Sequence, residues 1–342
     1  MLFAHLKERA KANPQRIVLP EGEDPRILTA VDMIEAEEVA HVILLGNRAR
    51  IEQKIRLLEL THLTNVTIID PSNAPQHEAY TDAFYTMRRR RGCSHEMADE
   101  LMRSPLYFGC MMVRQGDADA MLGGASNTTA DVLKAAHQII RTRRGISVVS
   151  GVMLIDHLPK HYGYDGGLCF ADIAVQPDPN ADELAQIALC TAETVEDLVG
   201  IEPRIAMISF STLGSSQHPC VEKVVEAVHI AKEKRPELLI DGELQIDAAI
   251  EPLVAHRKAP QSEVAGRANT LIFPNLDAGN SAYKLTQRLA HGRALGPILQ
   301  GLNAPVNDLS RGCSYSDVYN MIIITVVQAI AKKEGKRICN MK

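Results

Sequence analysis

Several common sequence features are missing from this chain, and each absence excludes a class of protein. No stretch contains the roughly 18 uninterrupted apolar residues that a transmembrane helix requires. No C-x-x-C pair occurs, and the seven cysteines are scattered singly, which argues against a disulfide framework and favours a reducing compartment. The first 16 residues include an acidic residue and lack an apolar core, unlike a signal or transit peptide. We therefore expect a cytoplasmic protein that does not act at a membrane.

The common nucleotide and metal motifs are also absent. Neither G-x-G-x-x-G nor G-x-x-x-x-G-K-[ST] occurs, so nothing marks a Rossmann dinucleotide site or a P-loop. No H-E-x-x-H motif or Cys/His ligand spacing is present either. His157 and His161 are four residues apart, but Pro159 between them argues against a helical face that binds a metal. We predict no metal site.

The composition that remains is that of a globular protein of ordinary polarity. Of 342 residues, 46% are hydrophobic and 23% are charged, and a chain of this length favours two domains. The net charge of -5 lacks the basic excess of a nucleic-acid-binding protein. The short basic runs at 88–91 and 141–144 are then most simply interpreted as solvated helix faces.

Short apolar strands alternate along the chain with amphipathic helices, a pattern typical of parallel sheets covered by helices. The predicted strands are 16–19, 41–45, 66–69, 120–122, 147–154, 169–171, 204–209, 238–240, 270–272 and 297–300. The sequence therefore predicts an α/β protein with two α/β domains. We place the first, discontinuous domain at residues 1–148 plus 303–342 and the second at 149–302.

The densest group of polar residues lies at 307–317, directly before an apolar run. It gathers a hydroxyl, a guanidinium and a carboxylate at a turn that opens a helix. Arg311 offers a planar fork of donors suited to a phosphate or an oxyanion, and Asp317 could act as a base. A structural interpretation is equally open: Ser314 and Ser316 cap the helix, and Asp317 is an acid of the first turn, where the helix dipole favours it.

Cys313 lies within the same group and could carry an acyl group as a nucleophile. No histidine lies nearby in the sequence to activate it. We therefore favour a buried, inert thiol at this position.

Small and polar residues follow four of the predicted strands. In the segment 117–134 a buried strand runs into Gly123 and Gly124, then into hydroxyls and Lys134, a pattern that suits a phosphate at a helix N-terminus. Alternatively, the glycines serve only close packing and Thr128 only caps the helix. Similar turns lie at 209–219, 241–247 and 275–284. Together with the residues at 307–317, the four turns predict a cleft lined by the carboxyl ends of strands.

Long motifs in this sequence resemble those of the phosphate acetyltransferase family. They include PVNDLSRGCS at 305–314 and a buried strand followed by a TTAD helix start. The resemblance spans nearly the whole chain in order, through segments 116–140, 209–216, 241–247, 258–290 and 296–317. Members of the family interconvert acetyl-CoA plus phosphate with acetyl phosphate plus CoA.

The resemblance implies an architecture and a set of partners. It implies two α/β domains with the active site in the cleft between them, similar to isocitrate and isopropylmalate dehydrogenases. It implies no metal and no permanently bound cofactor, since CoA or acetyl-CoA is a substrate. Partners are small molecules, namely CoA, acetyl phosphate and phosphate, with no nucleic acid or membrane, and the assembly is usually a homodimer or larger.

The resemblance also implies roles for individual residues. Asp317 would deprotonate the CoA thiol, Arg311 would stabilise the developing negative charge, and Ser310 would contact the tetrahedral intermediate. Transfer would be direct, within a ternary complex. The residues implied to bind substrate are Arg88 on the CoA side, and Ser126, Thr129, Lys134, Tyr283 and Lys284 around phosphate or acetyl phosphate.

Two departures from the family pattern bear on phosphate affinity. Many members have an arginine where this chain has Lys134, so a point charge replaces a bidentate grip. A lysine is common where this chain has Leu213. Two alternative functions stay open at this level: transfer of a longer acyl chain such as butyryl, and a binding module that senses acetyl-CoA without turnover. A metal-dependent hydroxyacid dehydrogenase is disfavoured, because a nicotinamide fingerprint and a carboxylate metal cluster are both missing.

Overall fold

The structure is a computed structural model that describes residues 2–63 and 66–335. The remaining residues of the predicted first domain, including Cys339, lie outside the described residues. The strands are β1 (Gln15–Leu19), β2 (Ala40–Leu45), β3 (Thr67–Ile69), β4 (Ala120–Gly123), β5 (Ser150–Asp156), β6 (Leu168–Ala171), β7 (Arg204–Ile208), β8 (Leu239–Leu244), β9 (Thr270–Ile272), β10 (Arg293–Gln300) and β11 (Val306–Asp308). The helices are α1 (Leu2–Ala12), α2 (Pro25–Ala36), α3 (Arg48–Leu57), α4 (His77–Arg88), α5 (His95–Met102), α6 (Pro105–Gln115), α7 (Thr129–Ile139), α8 (Ala181–Val199), α9 (Pro219–Lys234), α10 (Ile246–Ile250), α11 (Pro252–Lys258), α12 (Leu276–Leu289) and α13 (Tyr315–Lys333), with a short 3-10 helix at Arg89–Arg91.

The chain folds into two compact units. One unit, here called the terminal unit, contains residues 3–141 and 302–335, and the other, the central unit, contains Thr142–Gly301. The terminal unit is thus built from two separate stretches of sequence. Among the described helices, none is long and apolar enough to cross a bilayer.

The sheet of the terminal unit is parallel throughout, in the order β11-β4-β1-β2-β3. Its central strand, β1, reads QRIVL and is buried at four of five positions, as expected for a strand covered on both faces. The returning chain adds β11 at one edge, where Asn307 lies opposite Leu122 of β4. All five carboxyl ends therefore lie at one edge of this sheet.

Helix α13 completes the core of the terminal unit. It packs against α2, β1 and β4, and most of its residues from Val318 to Ala331 are buried. The apolar run read from the sequence is thus a helix that is buried nearly all round. Without the second stretch of chain, β4 would lose both its outer neighbour and this cover.

The central unit has a mixed sheet in the order β10-β5-β6-β9-β7-β8. Strand β5 pairs antiparallel with both β10 and β6, whereas the remaining pairs are parallel. Helix α8 begins with a capping box formed by Asn180 and Glu183 and ends at Gly200, which has a φ of 73°. These local signals explain why the helix begins and ends at these residues.

The prediction of an α/β fold with mainly parallel sheets is confirmed. All ten predicted strands exist, although β5 begins later than predicted and β10 begins earlier. Strand β11 was missed, because it is only three residues long and two of them, Asn307 and Asp308, are polar. Both side chains are nevertheless buried, since β11 is held between β4 and the helices α7 and α13.

Asp119 links three elements at the amino end of the terminal sheet, and its removal tests this fold. Its carboxylate accepts hydrogen bonds from the backbone and guanidinium of Arg16 and pairs with Lys333 at 2.8 Å. Burial of Asp119 opposes ionisation, but the bonds from Arg16 and Lys333 outweigh it and lower the pKa of the carboxyl to about 2. Because the pKa is depressed, the stabilisation is complete above the unfolded value near 4 and is lost as pH falls toward 2.

We therefore expect Asp119→Asn to lower the free energy of unfolding by about 2 kcal/mol at pH 7. Urea unfolding at several pH values measures the difference, which should shrink below about pH 4. Asp82→Asn is the matched control, because that carboxylate is 67% exposed. Equal losses in the two variants at neutral pH would contradict this account of Asp119.

Candidate active site

Three turns adjoin one another at the carboxyl edge of the terminal sheet. They follow β1, β4 and β11, three neighbouring parallel strands, and each leads into a helix. We call them the first turn (20–24), the second turn (124–128) and the third turn (309–314). The third turn carries Ser310 and Arg311, and Asp317 follows at the start of α13. The position of the third turn relative to the other two turns therefore decides the geometry of the candidate site.

The second turn is filled by a carboxylate of the chain itself. Glu21, 7% exposed, accepts the backbone N–H groups of Ala125, Ser126 and Asn127 at 2.7–2.8 Å. It also accepts the Ser126 hydroxyl at 3.1 Å and the Asn127 side-chain amide at 2.7 Å. The backbone donors expected of this turn are therefore present, but in this structure Glu21 accepts them.

Arg26 joins the three turns through their carbonyl groups. Its guanidinium donates to the carbonyls of Ala125 at 2.7 Å, Arg311 at 2.7 Å and Cys313 at 3.1 Å. It is held in turn by Asp24, the residue that caps α2, at 2.8 Å. One guanidinium thus fixes the third turn beside the second turn.

Asp317 and Ser314 form a capping box at the start of α13. Asp317 Oδ2 accepts the backbone N–H and the hydroxyl of Ser314, both at 2.8 Å, and the N–H of Asp317 donates to Ser314 Oγ at 3.2 Å. The structural interpretation of Ser314 and Asp317 is therefore confirmed, whereas Ser316 is not the cap. The capping box also fixes the direction of the Asp317 carboxylate, whose residue is exposed to solvent.

Ser310 and Arg311 lie on the exposed surface of the third turn. Ser310 Oγ accepts the N–H of Gly312 at 3.2 Å, which leaves its proton available to another acceptor. The backbone carbonyl of Arg311 accepts a hydrogen bond from Arg26, and this bond anchors the turn. The guanidinium of Arg311 is therefore not needed to hold the turn in place. Ser310, Arg311 and Asp317 thus come together on one segment with an anchored backbone.

Cys313 is the buried member of the third turn. Its residue is 8% exposed, and burial raises the pKa of its thiol. A raised pKa lowers the fraction of thiolate and hence the reactivity of the sulfur. The prediction that Cys313 is a buried thiol is confirmed.

Thr129 and Asp308 connect the start of α7 to the end of β11. Thr129 Oγ1 lies 2.6 Å from Asp308 Oδ2. Gly124 lies beside Asp308: it has a φ of 100°, and a Cβ atom there would lie 2.1 Å from Asp308 Oδ1. Gly124 is therefore required both by its backbone conformation and by the close approach of β11.

Two other predicted residues of the terminal unit, Arg88 and Lys134, lie on helices. Lys134 is exposed on α7, and Arg88 is half-buried as the last residue of α4, close enough to Tyr107 for its charge to act on that hydroxyl. Among the described residues, no hydrogen bond joins Arg88 or Lys134 to the three turns. A pocket of about 450 Å³ adjoins the first and second turns, and Lys54 and Ser104 are among its lining residues.

Tyr283 and Lys284 belong to the central unit, on α12. Tyr283 packs against the apolar core of that unit, and burial raises the pKa of its hydroxyl. The ammonium of Lys284 lies 5.9 Å from the centre of the Tyr283 ring. Gly279, one turn earlier, allows α12 to approach closely, because a Cβ there would lie 2.1 Å from the carbonyl oxygen of Asp172.

Buried carboxylates also fill two turns of the central unit. Glu243, 2% exposed, accepts the Ser211 hydroxyl and the N–H of Gly214, both at 2.8 Å. Asp172, also 2% exposed, accepts N–H groups of Gly151 and of the turn at 174–176. Two of the donors in the predicted anion-binding segment 209–219 are thus already bound by Glu243 within the protein.

Sequence reasoning missed Glu21, Arg26 and Asp308. A signal was present, since PEGEDPR at 20–26 follows the buried strand β1 directly. Charged residues at the carboxyl end of a strand lie at the edge where ligands bind in open α/β sheets. Among the described residues, no group of three or more His, Cys, Asp or Glu side chains is arranged to hold a metal ion.

The role of Glu21 leads to a test of the second turn. In Glu21→Gln the side-chain amide must direct its NH₂ group at one or more of the N–H donors that the carboxylate accepts, whichever way it turns. We expect a loss of about 3 kcal/mol in the free energy of unfolding, since a buried charge-assisted hydrogen bond is removed and a donor is left unpaired. Urea unfolding gives this value. Glu23→Gln is the control, because its carboxylate is partly exposed and its closest ion pair is 3.9 Å long, and comparable losses in both variants would refute the role of Glu21.

Comparison with known proteins agrees with the resemblance in the motifs. The sequence profile described as phosphate acetyl/butaryl transferase matches residues 1–326. A phosphate acetyltransferase of Thermoanaerobacterium thermosaccharolyticum is 49% identical over 94% of this chain and 97% of its own length, and one of Clostridium acetobutylicum is 47% identical over 96% and 98%. The crystal structure of a phosphotransacetylase from Streptococcus pyogenes aligns with a TM-score of 0.91 and 45% identity, over 96% of this chain and 98% of that one. The chain belongs to the phosphate acetyl/butaryl transferase family.

Proposed function

We propose that this protein transfers an acetyl group reversibly between CoA and inorganic phosphate, by direct attack of the CoA thiol in a ternary complex. The observation that carries the proposal is the position of Ser310 and Arg311 on the third turn and of Asp317 at the start of α13, on one segment anchored by Arg26 and by the capping box of α13. Such a hydroxyl, guanidinium and carboxylate suit acyl transfer to a thiol. Membership of the family supplies the reaction class.

Asp317 is the proposed base. A free thiol has a pKa of about 8.5, so only a few per cent is thiolate at neutral pH and a nearby carboxylate speeds attack by taking the proton. The two bonds from Ser314 go to Oδ2 of Asp317, and the second carboxylate oxygen is the one we assign to the thiol proton. Ser314 would then orient the base as well as cap the helix.

Arg311 and Ser310 are the proposed donors to the oxyanion that forms on the acetyl carbonyl. Charged and neutral donors held in place before the reaction stabilise such charge without reorganising. Phosphate then leaves, held by Arg311, by Lys134 and by the N–H groups at the start of α7 other than those of Asp131 and Val132, which Thr128 accepts. Ser126 and Thr129 remain proposed contacts for acetyl phosphate, although both hydroxyls meet carboxylates in this structure.

Arg88 is the proposed contact on the CoA side, and Tyr283 and Lys284 are proposed contacts for acetyl phosphate. Their action at one site, the cleft between domains and the likeness to isocitrate and isopropylmalate dehydrogenases stay predictions, as does a homodimeric or larger assembly. No permanently bound cofactor enters the proposed reaction. The small-molecule partners are CoA, acetyl-CoA, acetyl phosphate and phosphate.

The acyl group that we propose is acetyl. The family description includes both acetyl and butaryl transferases, but the relatives of 47–49% identity named above are phosphate acetyltransferases. Butyryl transfer is therefore the alternative outcome of the test below. A non-catalytic sensor of acetyl-CoA is a second outcome, which the presence of Ser310, Arg311 and Asp317 together disfavours.

The proposal predicts rapid formation of acetyl-CoA when the purified protein is mixed with acetyl phosphate and CoA, followed by thioester absorbance. Butyryl phosphate, assayed in parallel, should react more slowly. Faster reaction with butyryl phosphate would change the assigned acyl group. Binding of acetyl-CoA without turnover of either substrate would replace the transferase with a sensor.

Variants of Asp317 and Arg311 test the catalytic roles proposed for these two residues. Asp317→Asn and Arg311→Ala should each lower kcat by about 10²-fold or more, because each removes a group that acts on the reacting atoms. Arg311→Lys should recover only part of the rate, since an ammonium lacks the planar fork. Cys313→Ala is the matched control on the same turn and should keep most of the activity. Near wild-type rates for Asp317→Asn or Arg311→Ala would sink the assignment.

A further inference from the structure

Asp308 is a buried carboxyl group at the proposed site for which the mechanism above has no use. It ends β11, is 2% exposed and lies two residues before Ser310. Its Oδ2 atom is 2.6 Å from Thr129 Oγ1. Its Oδ1 atom is buried and has no hydrogen-bond partner among the described residues, and it lies against the backbone of Gly124.

This environment favours the protonated form of Asp308. An ionised carboxylate would leave a charged oxygen buried without a donor, which is costly. A neutral carboxylic acid places its proton on Oδ2, toward Thr129, and leaves only a carbonyl oxygen at Oδ1, where an unpaired acceptor costs less.

The protonation state of Asp308 decides which way the hydrogen bond to Thr129 runs. Thr129 has one proton to donate. When Asp308 is ionised, that proton goes to the carboxylate, and Thr129 presents only lone pairs to a ligand. When Asp308 is protonated, its O–H donates to Thr129 Oγ1, and the Thr129 proton is free to donate to an anion.

We propose that Asp308 is a positioning residue whose protonated form makes Thr129 a hydrogen-bond donor to the phosphate group of the substrate. The inference rests on the proposed function, since it takes Thr129 to contact that group. On loss of the Asp308 proton to solvent, the Thr129 hydroxyl turns back to the carboxylate and the donor is withdrawn. Tighter binding of the anion at lower pH follows.

The neighbouring charges agree with this assignment. The strand β4 beside Asp308 carries no titratable side chain. The titratable and charged side chains on the other elements around Asp308 are those of the first turn (Glu21, Glu23 and Asp24), the third turn (Arg311 and Cys313), α7 (Asp131, Lys134 and His137) and α13 (Tyr315, Asp317, Tyr319, Lys332 and Lys333). Asp131 and Asp317 are engaged by Thr128 and Ser314. Burial is the main cause that raises the pKa of the Asp308 carboxyl to about 6. The negative charge of Glu21 raises this pKa further, whereas the hydrogen bond from Thr129 lowers it.

Sulfate is the probe for this switch, because it mimics phosphate but does not titrate near neutral pH. The dissociation constant of sulfate, measured by calorimetry between about pH 5 and pH 8, should rise about tenfold in the wild type as one hydrogen bond to the anion is lost and a negative charge appears. In Asp308→Asn the side-chain amide donates to Thr129 at every pH. We expect this variant to keep the tight binding of low pH throughout the range.

Variants of Thr129 distinguish the effect of the Thr129 hydrogen-bond donor on sulfate binding from the effect of the Asp308 charge. Thr129→Ser should retain the pH profile, whereas Thr129→Val should bind sulfate weakly at low pH and lose most of the pH dependence. If Thr129→Val keeps the full wild-type profile, the effect is one of charge alone and the inference is wrong. No sulfate binding by the wild type at any pH would overturn it as well.

Infrared spectroscopy of the wild-type protein measures the protonation state of Asp308 without an activity assay. A carboxylic acid C=O band that is missing from Asp308→Asn should be present at about pH 5 and disappear as pH rises through about 6. Absence of such a band at low pH would contradict the inference even if Asp308→Asn folds poorly, since the wild type should still carry a titrating band near 6. Failure of acetyl-CoA formation would refute the proposed function. The sulfate and infrared experiments would still test the role of Asp308, because neither depends on catalysis.

Discussion

The candidate site in the terminal unit depends on two opposite charges, Glu21 in the first turn and Arg26 at the start of α2. The carboxylate accepts the donors of the second turn, and the guanidinium donates to the carbonyls of the second and third turns. Both kinds of bond are charge-assisted, and so they are stronger than bonds between neutral groups. The backbone that carries Ser310 and Arg311 is held in this way before any substrate arrives.

Buried carboxylates of the chain occupy donors in the turns that were predicted to bind anions. Glu21, Glu243 and Asp172 are all buried, and each accepts hydrogen bonds from N–H or O–H groups that a phosphate could otherwise use. A buried anion that collects several donors rigidifies a turn, but it also repels a second anion nearby. The cations Arg311 and Lys134, rather than the glycine turn alone, therefore carry the attraction for phosphate in the proposed mechanism.

Much of the fold could be predicted from the sequence because its signals are local. Helix α8 has a capping box at one end and a glycine at the other, and β1 is a short apolar run, so neither needs information from elsewhere in the chain. Strand β11 could not be predicted in this way. Its polar residues Asn307 and Asp308 are buried only because β4, α7 and α13 enclose them.

The sequence by itself determined the class of fold, the family and the grouping of Ser310, Arg311 and Asp317, because these residues are neighbours along the chain and belong to a long motif. Only the tertiary structure decided what those residues meet. It revealed that Arg26 binds the backbone carbonyl of Arg311, that Glu21 fills the second turn across about a hundred residues of sequence, and that Asp308 lies beside Thr129. The reason is physical: hydrogen bonds between distant segments depend on strand order and close approach, and neither is encoded in local spacing.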